Sequence, residues 1–550
     1  MNSMQVKELR RLALLAVFIL MIGAISVSPQ APAGTADETE GPDGCTSIMV
    51  GRLASTDGSV ITCHTCDGNY RNWLNIVPHR KNPSSAKNKV YWGTLHTETV
   101  DDLRGKILKG EIPEVEETYA FLNVAYPAMN EKQLSIGETT IGGRRELEND
   151  EGLFLIEELE RIALERTATA RDAIKLIGQL VKQYGYGDSG ECITIADKKE
   201  VWHFEIMGAG PTEIGGVWAA VRIPDDHVGV SANIPRISEL NLKDPDNYMA
   251  SDNVHSVAEK MGWWKPGETF KFWKAYSGRK PFSDREFFIL STLAPSMKLQ
   301  KDAEELPFTV KPAKQLSVRD VMKYYRETYE GTDMDMTRNL MVPRAARGRG
   351  GAAPAAAPEM VKSPIANPWM SADLVTLLNT LKPDTVTRQR TIAIVGCAYS
   401  QIIQTRAWLP DEVGAIAWFS FDNPAQSPRF PIFSGVLALP KSFEVDSQHK
   451  FRTDSASWAF RRANRLATIR WGATRRIMED AIADFEDKAF TELPAIEKIA
   501  QELLKSGNPE EGRKKCQEFV TQYTNDFARA AIDKWNELGD TFWGMFARGF

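Results

Sequence analysis

Cysteine is scarce in this sequence: six residues, at 45, 63, 66, 192, 397 and 516, are spread over 550 positions. That density excludes a disulfide-stapled scaffold, so the fold has to rest on its core. Basic charge is not in excess either, because 67 Lys and Arg face 73 Asp and Glu for a net charge of −6. Without a broad positive field, nucleic acid is excluded as the expected partner. No second Cys-x-x-Cys and no His-x-x-x-His accompanies Cys63-His-Thr-Cys66. Zinc at that pair therefore lacks two ligands, and haem c attachment lacks the histidine that must follow the second cysteine, where Asp67 stands. Beyond residue 27 no apolar run is long enough to span a membrane.

What is present is an ordinary globular composition, 43% hydrophobic and 25% charged, long enough for one large domain or two. Lys7, Arg10 and Arg11 precede the apolar stretch Leu12–Val27 and the small, proline-containing SVSPQAPAG. That layout is a secretory signal peptide over residues 1–33, which predicts an exported protein, periplasmic or extracellular, free of the membrane once the leader is removed. Residues 34–44 read as a propeptide-like segment, 45–445 as a catalytic domain, and 446–550 as a helical region. The low-complexity run RAARGRGGAAPAAAP, about 344–358, reads as a flexible surface insertion.

CTSIMVGRLA and VITCHTC flank the turn STDGS and predict a hairpin. Residues 152–184 carry apolar positions at helical spacing and stop at Gly185, and ECITIADKKEVWHFEI predicts a second hairpin turning at Asp197–Lys199. Helical text resumes near Asp454, with interruptions expected at Pro494 and at Gly507–Pro509. Strands and helices come in blocks, which predicts a layered α+β architecture rather than a doubly wound sheet. Asp225-Asp226-His227 beside Ile223-Pro224 reads as a solvated turn, and the tryptophans of the last helices as core.

Cys45 stands directly behind Gly44, where the first strand opens. A cut between the two gives one residue a free α-amine of pKa about 7.7–8.0 beside a thiol of about 8.5, so nucleophile and base are nearly matched near neutrality. The pattern Cys-Thr-x-x-x-Val-Gly-x-x-Ala-Ser-x-Asp-Gly-Ser from Cys45 to Ser59, followed by Asp67, resembles the mature N-terminus of peptidase family C69 dipeptidases. LNVAYPAMNEKQLSIGETTIGG, ADKKEVWHFEI, VRIPDDHVGVSANIPRI and QTRAWLPDEVGAIAWF extend the resemblance over most of the chain after Gly44.

These are N-terminal nucleophile hydrolases, related to the penicillin V acylase and bile salt hydrolase group. The resemblance implies a four-layer αββα sandwich with added C-terminal helices and a dipeptidase that needs no metal or organic cofactor. It implies Cys45 as nucleophile, Asp67 as the carboxylate that holds the α-amine and the substrate, and Asn130 and Asn233 as amide donors to the oxyanion, Asn130 also touching substrate. The family usually has arginine three residues before the aspartate, and here His64 stands there. His64 is therefore a further site candidate, with the expectation of an acidic limb in the pH profile as its charge titrates. A second arginine of the group corresponds to Arg279 or Arg285. Two other readings remain at this stage, an amidase acting on acyl-amino acids and a non-catalytic secreted binding protein on the same scaffold. Assembly into a homo-oligomer is compatible with each.

Overall fold

The computed structural model describes residues 44–344 and 359–547. The predicted leader, the propeptide-like segment up to Asp43 and nearly all of the insertion lie outside the described residues. None of the helices described is long and apolar enough to cross a membrane.

The chain is α+β. A seven-stranded sheet runs in the order Thr309–Val310, Val228–Ser231, Ser47–Val50, Val60–Asp67, Cys397–Thr405, Ala415–Phe421, Phe430–Phe433. An eight-stranded sheet runs Tyr248–Ala250, Gly216–Arg222, Val201–Gly208, Glu191–Ala196, Ser135–Thr140, Met129–Asn130, Phe121–Asn123, Asn75–Val77. Every pairing in both is antiparallel. The hairpin expected at the start is present, with Val50 opposite Ile61, and so is the one turning at Asp197.

The strand VITCHTCD is buried along its whole length. Such a strand has no wet face, so its small and polar side chains need partners. The two sheets exchange several polar contacts. Thr62 Oγ1 lies 2.6 Å from Thr194 Oγ1, Ser47 Oγ donates to the Glu138 carbonyl at 3.1 Å, and the Thr139 and Ser231 hydroxyls meet at 2.5 Å. Gly137 sits where the backbones come closest: a Cβ there would lie 2.3 Å from the Cys63 carbonyl oxygen.

The helical stretch expected over 152–184 is two helices, Ile156–Arg166 and Ala170–Tyr184, because Thr169 caps the second through Asp172 N. Gly185 ends it at φ 84°, a backbone angle that favours glycine. At the C-terminus, Ala456–Ile469, Trp471–Leu504 and Pro509–Met545 form three helices. The interruption expected at Pro494 does not occur. The helix runs through it on an exposed position, where the carbonyl left without an N–H donor can meet water. Asn508 and Pro509 do form the second break, as N-cap and first helical residue. Trp471 and Trp535 are buried, whereas Trp543 is exposed.

Candidate active site

The Val60–Asp67 strand delivers His64 and Asp67, and Gly44 is tied to its end, since the Gly44 N–H donates to the Asp67 carbonyl at 3.1 Å. Thr46 N donates to Thr65 Oγ1 at 2.8 Å and Tyr325 Oη to the Thr46 carbonyl at 2.7 Å. Cys45 is thus clamped between two anchored neighbours, 2% exposed, two residues ahead of the Ser47–Val50 strand.

Arg285 closes this corner. It stands in the first turn of the Asp284–Leu293 helix, whose start is fixed by a capping box between Ser283 and Glu286. Glu286 also accepts from Ala232 N at 2.8 Å, which locks that helix to the Ala232–Asn233 turn. From there Arg285 donates to the carbonyls of Cys45 (2.7 Å) and Gly44 (3.3 Å), to Thr46 Oγ1 (3.0 Å) and to Asn233 Oδ1 (2.9 Å). Asn233 takes a left-handed φ of 66° and sends its amide to the Thr140 carbonyl at 2.7 Å. Arg285 is thus the one of the two expected arginines that lies at this corner; Arg279 donates to the carbonyls of Ile141 and Gly142.

The sequence offered no sign of Arg390. Its guanidinium reaches Asp67 Oδ2 at 2.8 Å and also donates to the Gly44 carbonyl. It comes from the segment ahead of the Cys397–Thr405 strand and carries no motif, so only the folded chain brings it to Asp67. Two guanidiniums therefore converge on the carbonyl oxygen that precedes Cys45.

Asn130 is corrected. Its amide donates to the Leu164 and Thr167 carbonyls, both at 2.8 Å, and its Oδ1 accepts from Lys132 N (2.9 Å) and Leu134 N (3.0 Å). Both amide hydrogens satisfy carbonyls at the end of the Ile156–Arg166 helix, which leaves none for an oxyanion or a substrate. Asn130 is a structural turn residue.

Glu138 was missed, although an acid inside the strand SIGETT was a legible signal. It is fully buried, and one of its oxygens, the Cys45 Sγ and a ring nitrogen of His64 all lie within 4.8 Å of one another. Burial raises the Glu138 carboxyl to about 7 and holds the neighbouring Glu191 well above the carboxylate range. The Cys45 thiol is pushed well up, first by burial and then by the negative charge of Glu138. His64 goes the other way: burial lowers it to about 4, so it stays neutral across pH 5–8. The acidic limb expected from His64 in that range is corrected accordingly. Cys63 and Cys66 are both buried free thiols.

Cys45 thus directly follows a carbonyl held by two guanidiniums, in a two-sheet α+β fold. The chain belongs to peptidase family C69, whose sequence profile matches residues 44–484. A probable dipeptidase of Latilactobacillus sakei is 25% identical over 478 residues, covering 83% of this chain and 88% of the relative. A probable dipeptidase of Salmonella dublin is 26% identical over 71% of this chain and 81% of its own length. A probable dipeptidase B of Lactococcus lactis is 24% identical over 75% and 79% respectively.

Proposed function

We propose that the chain is an exported cysteine-type dipeptidase of the N-terminal nucleophile class, with an αββα layering, whose nucleophile Cys45 is freed by a cut after Gly44. The observation that carries this reading is the double grip of Arg285 and Arg390 on the Gly44 carbonyl beside Cys45. A carbonyl polarised by two fixed donors is set up to become an oxyanion. The dipeptidase names of the relatives support the substrate class.

With Gly44 attached, Cys45 has an amide nitrogen and a buried, protonated thiol. After the cut, the new amine is a base next to its own Sγ, and Asp67 is the carboxylate at hand to hold it. The amine takes the thiol proton, the thiolate attacks the dipeptide carbonyl, and the oxyanion lies where the Gly44 oxygen lay, between Arg285 and Arg390. The amine then protonates the leaving amino group, and water hydrolyses the thioester. No step needs a cofactor.

Gly44 suits this position because a Cβ there would meet Asn233 Oδ1 at 2.5 Å. The test is intact mass and N-terminal sequencing of the secreted protein, followed by a dipeptide panel run beside acyl-amino acids with Cys45→Ala as control. A chain that begins at Cys45, cleaves dipeptides and dies with Cys45→Ala meets the proposal. Retention of residue 44 in active enzyme, or cleavage of acyl-amino acids alone, refutes it.

A further inference from the structure

We propose that Cys45, His64 and Glu138 form a binding site for a thiophilic divalent cation of the zinc type, and that its occupation reversibly inhibits the enzyme. His64 Nδ1 lies 2.6 Å from the Glu138 carbonyl oxygen, 3.3 Å from the Glu138 backbone nitrogen and 3.8 Å from Glu138 Oε2; we assign the proton to Nδ1 because that makes the shortest of these contacts a hydrogen bond. The ring is fixed further by edge contacts with Tyr126 and Tyr399, at centroid distances of 5.5 and 5.6 Å. The lone pair is therefore on Nε2, and this buried atom has no hydrogen-bond partner; neither has Glu138 Oε2. Orphaned buried polar atoms of this kind call for an explanation.

The donor set fits. Bonds of about 2.0–2.3 Å to zinc place tetrahedral ligands roughly 3.3–3.8 Å apart, against three groups whose ligand atoms lie within 4.8 Å of one another. Small side-chain rotations close that difference. The backbone carbonyl on Nδ1 is the outer-shell partner that a ligating histidine needs. Thiolate and carboxylate together cancel the charge of a dication, and burial then carries no net charge. As the metal–sulfur bond forms, the thiol proton leaves to water.

The fourth donor rests on the proposed cut: the α-amine of Cys45 closes a five-membered chelate with its own sulfur. Metal there occupies both nucleophile and base, so hydrolysis stops.

The full secreted chain, stripped with EDTA, is titrated with CoCl2 and ZnCl2, with MgCl2 as control. One cobalt ion per chain is expected, with a thiolate-to-cobalt absorption band that zinc abolishes and magnesium leaves unchanged. Dipeptide hydrolysis falls with the zinc midpoint and returns with EDTA. His64→Asn is expected to weaken cobalt binding at least 100-fold, and Glu138→Gln, read the same way, serves should His64→Asn not fold. No cobalt–thiolate band in the wild type, or unchanged affinity in both variants, overturns the proposal. The band reads the metal site without hydrolysis, so an active enzyme lacking it refutes the site alone, and an inactive one showing it refutes the dipeptidase reading alone.

Discussion

Replacing Arg390 by methionine tests the arrangement around Asp67 most directly. The ion pair is 2.8 Å long, with the arginine side chain 9% exposed and the aspartate fully buried. Without Arg390, Asp67 Oδ2 keeps only the hydroxyl of Thr65 at 3.0 Å, and Oδ1 has no partner to begin with. Breaking one side of a buried pair costs about 3–5 kcal/mol, because a charge is left uncompensated. Urea unfolding of wild type, Arg390→Met, Asp67→Asn and the double variant measures it. The double variant should lose less than the sum of the singles by roughly 1–3 kcal/mol. The same loss removes one donor from the Gly44 carbonyl position, and kcat/KM should fall about 100-fold or more. Additive losses within about 0.5 kcal/mol refute the reasoning.

Asn130→Ala removes four hydrogen bonds, three of them buried, and should cost about 2–4 kcal/mol, seen as a lower urea midpoint, while kcat of the folded fraction stays within about twofold; a large loss of kcat would return Asn130 to the site. Glu138 is raised by burial from 4.5 to about 7, so its contribution to stability is full below the unfolded value and is lost as pH rises through 7. Unfolding free energies of Glu138→Gln should lack that slope, and the variant should be the more stable at pH 8. His64, lowered to about 4, contributes stability that is present above its unfolded value and lost only as pH falls toward 4.

Much of this protein follows from local sequence. The hairpins turn where STDGS and Asp197–Lys199 place them, because turn residues between β-branched runs act over a few positions. Cys45, Asp67 and Asn233 were expected from the resemblance to the C69 dipeptidases and His64 from its departure from that pattern, and the fold puts His64 beside Cys45 and Asn233 on Arg285. The helix through Pro494 and the split at Thr169 were not expected, because a neighbouring helix can hold an exposed proline and a side-chain cap can end a helix that periodicity continues.

Tertiary structure alone decided three roles. Asn130 reads as a donor in a turn, but a helix end 34 residues away takes both its hydrogens. Arg390 has no signature, since its function is a contact with Asp67 across 323 residues. Glu138 stands out as an acid within its strand, but it comes beside Cys45 and His64 only because the strands approach closely at Gly137, where a side chain is missing. Turns, caps and strand runs are local free energies and are written locally. Which charges meet in a dry interior depends on packing between distant segments, and only the folded chain sets that.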